Sequence, residues 1–149
     1  MLINILMVKP VEVVGPDVPL RDVARMMRDK AIGCLPVCEN EQLIGIIADR
    51  DIVCRGVADG LDIMRGQTRD IMTKNVVYCF DDQSDAEAAK LMEDNEVRHL
   101  PVLNRKMKIV GMVTLGDLAL RSKTLTRTLL GIIERDALRR EKLHSTHAW

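Results

Sequence analysis

Hydrophobic positions in this chain change period along one stretch, and the same change returns further on. Val11-Glu12-Val13-Val14 is short and β-branched and stops at Gly15-Pro16-Asp17, which predicts a strand and a turn. After Pro19, the residues Leu20, Val23, Ala24 and Met27 recur at the three- and four-residue spacing of one helix face, with Arg21, Asp22, Arg25 and Arg28 opposite them. Two apolar runs, 34–38 and 43–48, flank the polar turn Glu39-Asn40-Glu41-Gln42 and predict a pair of strands. A second helix is expected over 49–58, closed by Gly60. The unit reads β-α-β-β-α.

That unit occurs twice. Ile32-Gly33-Cys34-Leu35-Pro36-Val37 returns as Val97-Arg98-His99-Leu100-Pro101-Val102, and Gly45-Ile46-Ile47-Ala48-Asp49-Arg50-Asp51 returns as Gly111-Met112-Val113-Thr114-Leu115-Gly116-Asp117. Met7 and Met72, Lys9 and Lys74, Asp17 and Asp82, and Met27 and Met92 pair in the same register. The second copy carries one extra residue in the polar turn before Ile109, where an insertion costs least. Its first helix opens on Ser84-Asp85-Ala86-Glu87, a capping box. Its strands are expected at 99–103 and 109–114 and its last helix at 115–122. A period this long is a duplicated unit. The expected fold is mixed α and β (α+β), with repeat 1 at 5–60 and repeat 2 at 68–123. A three-stranded sheet with two helices leaves one face bare, so the copies should pack sheet against sheet about a pseudo-twofold axis, with a ligand groove between them.

Beyond the repeats, 124–143 predicts one more helix, with Leu125, Leu129, Ile132, Ile133 and Leu138 apolar, and 144–149 a frayed tail. This helix packs either on its own chain or on a second subunit. Val23, Met26, Met27, Leu91 and Met92 offer apolar helix surface for a homodimer contact.

Composition narrows the function. The chain of 149 residues has 22 Lys and Arg against 22 Asp and Glu, so it lacks the positive balance of a nucleic-acid binder. Tyr78, Phe80 and Trp149 are its only aromatics, too few for a base-stacking platform. Cys34, Cys38, Cys54 and Cys79 have no CxxC spacing and read as buried thiols in a reducing compartment. Neither they nor His99, His144 and His147 have metal-site spacing, so no metal is expected. No run is apolar and long enough to span a membrane, and residues 1–7 lack the basic start of a secretory signal, so the chain is expected in the cytoplasm.

The chemistry-bearing segment is Gly111-Met112-Val113-Thr114-Leu115-Gly116-Asp117, running from the end of a strand into a helix. A helix start presents free N–H groups and the positive end of the dipole to an anion. Thr114 can donate a hydroxyl, Asp117 can accept from two sugar hydroxyls, Gly116 leaves room, and Arg98 and His99 bring positive charge to the adjacent strand. The same residues also read as an ordinary N-cap and first-turn carboxylate. There is no nucleophile–base pair, and no carboxylate pair with a reason for a raised pKa, so no enzyme is expected.

Two units in register, each with Leu-Pro-Val followed by Gly-x-x-(Thr)-x-x-Asp, resemble a tandem pair of cystathionine β-synthase (CBS) domains, a Bateman module, over about residues 5–122. Ala48-Asp49-Arg50-Asp51-Ile52-Val53 is similar to small stand-alone bacterial members. The resemblance implies a regulatory module that binds an adenosine-containing ligand between its repeats, with no obligatory cofactor. It implies phosphate at the Thr, ribose at the Asp, and adenine along the first strand of the opposite repeat. On this chain, one cleft would use Thr114, Gly116, Asp117, Arg98 and His99, with Val11, Glu12, Ile32 and Gly33 around the base. A weaker sister cleft would use Ala48, Arg50 and Asp51 with Val76 and Val77, since Ala48 lacks the hydroxyl and Gly33-Cys34 replaces Arg98-His99. The resemblance further implies a homodimer acting on a separate protein partner. The alternative is a ligand-free dimerisation scaffold.

Overall fold

The computed structural model describes residues 1–122 and 125–145. The chain runs through α1 (Ile3–Leu6), α2 (Leu20–Lys30), β1 (Cys34–Glu39), β2 (Gln42–Ala48), α3 (Asp49–Asp51) continuing as a π-helix (Ile52–Val57), α4 (Thr68–Ile71), β3 (Cys79–Phe80), α5 (Asp85–Asn95), β4 (His99–Leu103), β5 (Ile109–Thr114), α6 (Leu115–Arg121) and α7 (Thr126–Ser145). It is an α+β fold of two repeats. β1 and β2 pair antiparallel, as do β4 and β5, and β3 joins β4 in parallel.

The expected strand at 11–14 forms only as a single parallel bridge from Val14 to Val37, whereas its counterpart β3 pairs two residues. The expected helix over 49–58 is one α turn followed by π-helix, with the Ala58 N–H bonded to the Val53 carbonyl at 2.9 Å. Gly60 closes it at φ +74°. Ala31 and Glu96 end α2 and α5 in the left-handed region, at matching positions.

Strand alternation assigns each sheet two faces. Leu35, Val37 and Ile47 in repeat 1, and Leu100, Val102 and Val113 in repeat 2, are fully buried against their own helices. Cys34, Pro36, Ile46 and Ala48 alternate with the first set, and His99, Pro101, Met112 and Thr114 with the second. These faces look at one another across the repeats.

The opening segment of each repeat packs on the other repeat. Ile3, Leu6 and Met7 lie in the core of repeat 2, and Val8 bridges to Met112 beside β5. Ile71 lies in the core of repeat 1, and Thr73 bridges to Ile46 beside β2. Each relation has its mate with the repeats interchanged, as a twofold arrangement requires.

α7 runs from 126 to 145, two residues further than expected, and the tail residues 146–149 lie outside the described residues. Leu125, Leu129 and Ile132 join the core of repeat 2, while Leu130, Ile133 and Leu138 are exposed. Arg135 and Arg139 pair with Glu93 and Glu96 at the end of α5, which seats the helix on its own chain. Of the residues expected to offer a dimer surface, Val23, Met27 and Met92 are buried in the two cores and Met26 and Leu91 pack against them. The intrachain demand for core was larger than helix periodicity alone shows. The exposed apolar side chains include Val53 and Val57 on the π-helix, each 59% exposed. Cys34 and Cys79 are buried as expected, Cys38 is half-buried, and Cys54 is exposed on the π-helix. No helix among the described residues is long and apolar enough to cross a membrane.

Candidate functional site

Two clefts open between the repeats, and each takes its parts from both. The first, of about 320 Å³, is bounded by Val8, Pro10, Val11 and Glu12 from the segment before α2, and by 31–36 where α2 gives way to β1. His99, Met112, Thr114 and Asp117 of repeat 2 close it. The second, of about 220 Å³, takes Thr73, Asn75, Val76 and Val77 from the segment before α5, then Val97, Arg98 and His99, and faces Cys34, Ile46, Ala48 and Asp51 of repeat 1. The first volume lies at the low end of ordinary small-molecule sites, roughly 300–1,000 Å³, and the second below it.

Thr114 and Asp117 form a reciprocal box at the start of α6. The Thr114 N–H and hydroxyl donate to Asp117 Oδ2 at 2.9 and 2.7 Å, and the Asp117 N–H donates back to Thr114 Oγ1 at 3.1 Å. Ser84 and Glu87 make the same box at the start of α5, away from both clefts, so the box by itself is helix capping. Its position beside a cavity is what sets Thr114 and Asp117 apart. Asp117 Oδ1 has no partner among the described residues, and Thr114 Oγ1 has a spare lone pair. The Thr114 proton is already committed to Asp117. This rim therefore accepts hydrogen bonds rather than donating them.

The sister motif is occupied differently. The Ala48 N–H donates to Asp51 Oδ2 at 2.8 Å, but alanine has no hydroxyl to complete the box. Arg55 donates to Asp51 Oδ1 at 2.8 Å and to Thr73 Oγ1 at 2.9 Å. Arg121, at the matching position of repeat 2, instead donates to the Leu6 carbonyl at 3.1 Å. That difference leaves the Asp117 oxygen open.

Val11, Glu12, Ile32, Gly33, His99, Thr114 and Asp117 line the first cleft together, and Ala48, Asp51, Val76 and Val77 line the second. Three placements differ from expectation. Arg98 borders the sister cleft and not the Thr114 cleft, because the twofold that sends Ile32 and Gly33 to the Thr114 cleft sends Val97 and Arg98 to the other. Gly116 is exposed at the helix start, outside both linings, and a Cβ there would meet Thr114 Oγ1 at an ordinary 3.6 Å. Arg50 is exposed and borders neither cleft, and Arg55 supplies the cation beside Asp51. The four-residue spacing of Asp51 and Arg55 was the available signal. Cys34, which borders both clefts, was also missed as a lining residue, although it shares its strand face with Pro36.

Burial pushes the His99 imidazole below its ordinary value and Arg98 adds to this, while Asp49 and Asp117 pull the other way. Burial, aided by Asp51 and Asp49, holds the Cys34 thiol up at about 12, far from a reactive thiolate. Among the described residues no Lys or Arg lines the Thr114 cleft, and Glu12 at its edge is paired with Lys30 at 2.6 Å. Among the described residues no group of three or more His, Cys, Asp or Glu is placed to hold a metal ion.

The CBS domain model matches residues 3–55 and 69–123. Hypoxic response protein 1 of Mycobacterium tuberculosis is 36% identical over 107 residues, which cover 71% of this chain and 74% of that protein. A crystal structure of that protein with two coordinated zinc ions superposes with a TM-score of 0.74 at 33% identity, over 81% of this chain and 98% of that one. The CBS domain-containing protein YhcV of Bacillus subtilis is 35% identical over 115 residues, 76% of this chain and 79% of that protein. CBSX2 in complex with AMP shares the fold at a TM-score of 0.71 and 22% identity, over 85% of this chain and 98% of that one. The duplicated units, the exchanged segments and these matches agree, and the chain belongs to the CBS domain family as a tandem pair of repeats.

Proposed function

We propose that this protein is a non-catalytic sensor that binds an adenosine-containing ligand between its CBS repeats and signals occupancy to a separate protein. The observation that carries the reading is the unpartnered Asp117 Oδ1, held at the rim of the larger cleft beside the spare lone pair of Thr114. Two adjacent acceptors match the two adjacent hydroxyl donors of a ribose. Val8, Val11, Ile32 and Met112 supply apolar walls for a flat base. CBSX2, alike in fold, holds AMP in its crystal structure.

With no Lys or Arg lining it among the described residues, the Thr114 cleft suits the nucleoside part of the ligand. Positive charge for a phosphate stands in the sister cleft at Arg98, while Arg55 is held on Asp51 behind it. No lining thiol, imidazole or carboxylate forms a nucleophile–base pair, which suits binding without turnover. We further propose a homodimer in the cytoplasm, with the exposed Val53 and Val57 within its contact surface.

A thermal-shift series with adenosine, AMP, ADP, ATP, S-adenosylmethionine and NAD tests the reading. A ligand at a hundredfold excess over its Kd adds about 2.7 kcal/mol. For a chain of this size that raises the melting temperature by roughly 5–10 °C. No shift with any of the six would overturn the sensor reading in favour of a ligand-free scaffold.

A further inference from the structure

α7 lies beyond the residues that the CBS domain model matches, yet it holds a residue that borders a cleft. Arg98 stands between the two. It borders the sister cleft beside Val97 and His99, and it also borders a narrow gap of about 50 Å³ between α5 and α7, with Glu93, Arg135 and Asp136. Its guanidinium is paired with Asp136 of α7. Asp136 also faces Arg140, one turn on, at 3.6 Å.

We infer that Asp136 is a specificity-determining residue, which holds Arg98 away from ligand phosphate and so sets how strongly the sister cleft prefers a phosphorylated nucleotide to its nucleoside. The inference rests on the proposal that adenosine ligands bind between the repeats. Among the described residues Arg98 is the one arginine or lysine that lines this cleft, and its Nη2 already faces Asp136 Oδ2, so a phosphate and the Asp136 carboxylate draw on one guanidinium charge and repel each other across it. A phosphate entering the cleft therefore competes with Asp136. The competition is reciprocal, so a bound phosphate loosens the tie between α7 and repeat 2 by the factor that Asp136 takes from phosphate affinity. The other ties of α7, through Leu129, Ile132, Arg135 and Arg139, do not touch the cleft, so the helix stays seated while Arg98 changes partner.

Asp136→Asn keeps the size of the side chain and removes its charge. Arg98 is 42% and Asp136 30% exposed, so the pair is of the kind whose removal changes an equilibrium by about two- to fivefold. Calorimetric titration of the full chain with ATP and with adenosine is the test, at low and fixed ionic strength. Asp136→Asn is expected to bind ATP about two- to fivefold tighter than the parent and adenosine equally well. In an Arg98→Gln background the same substitution is expected to change neither. Unchanged ATP affinity in Asp136→Asn overturns the inference and leaves the nucleotide reading standing. A parallel gain for adenosine overturns it as well, since that would report a general loosening of α7. Failure of the parent to bind either ligand overturns both.

Discussion

The Met7 side chain lies directly over Gly111, so closely that a Cβ on the glycine would stand 2.5 Å from Met7 Sδ and 2.9 Å from its Cγ. Met72 lies over Gly45 in the same way, at 2.6 and 3.1 Å. Each methionine belongs to the opening segment of one repeat and packs on the other. The repeated glycines are the close approach that lets the exchanged segments lie against the strands, and the clefts are lined by those same segments a few residues later.

Gly111→Ala should therefore destabilise by overpacking, by about 1–3 kcal/mol. Thermal unfolding of Gly111→Ala, Met7→Ala and the double variant checks the cause. The double variant is expected to lose less than the sum of the single losses, since removing the thioether makes room for the new methyl. Strict additivity would mean that Met7 and Gly111 do not constrain each other.

The strand alternation, the first helices and the duplication are legible in the sequence because each rests on local period. The exchange is not, since nothing in Met7 or Met72 says which sheet it covers. The misplacement of Arg98 follows from the same blindness. Adjacency in sequence to His99 suggested one cleft, whereas the twofold puts Val97 and Arg98 opposite the cleft of Ile32 and Gly33. Asp117 and Asp51 look equivalent as letters. They differ because Arg55 folds back onto Asp51 while Arg121 reaches the Leu6 carbonyl, a target that exists only once α1 has crossed over.

Half-buried His99 should give the fold a pH dependence. Its folded value lies below the unfolded one of about 6.5, so the folded state prefers the neutral ring. That contribution is intact above about pH 6.5 and is lost as pH falls towards the folded value. The melting temperature of the parent is expected to drop more between pH 7.5 and 5.5 than that of His99→Gln. Equal drops would show that the ring does not titrate against folding.

Thiol accessibility should separate the cysteines. Exposed Cys54 is expected to react first with a maleimide at pH 7.5. Cys34 and Cys79, with thiols held at about 12 chiefly by burial, are expected to react only as the protein opens. Mass spectrometry of the native protein reads the order. Fast labelling of Cys34 would contradict its place between the sheets.

The most direct measurement is calorimetric titration of adenosine into the parent, Asp117→Asn and Asp51→Asn, with folding checked by circular dichroism. We expect one dominant binding event in the parent. Asp117→Asn should weaken it by about ten- to a hundredfold, the range that loss of a hydrogen bond to a charged group of roughly 1.5–3 kcal/mol implies. Asp51→Asn should leave it nearly unchanged, because Arg55 already occupies that carboxylate. Equal losses from both substitutions, or undiminished binding by Asp117→Asn, would contradict the assignment of the ribose to Asp117.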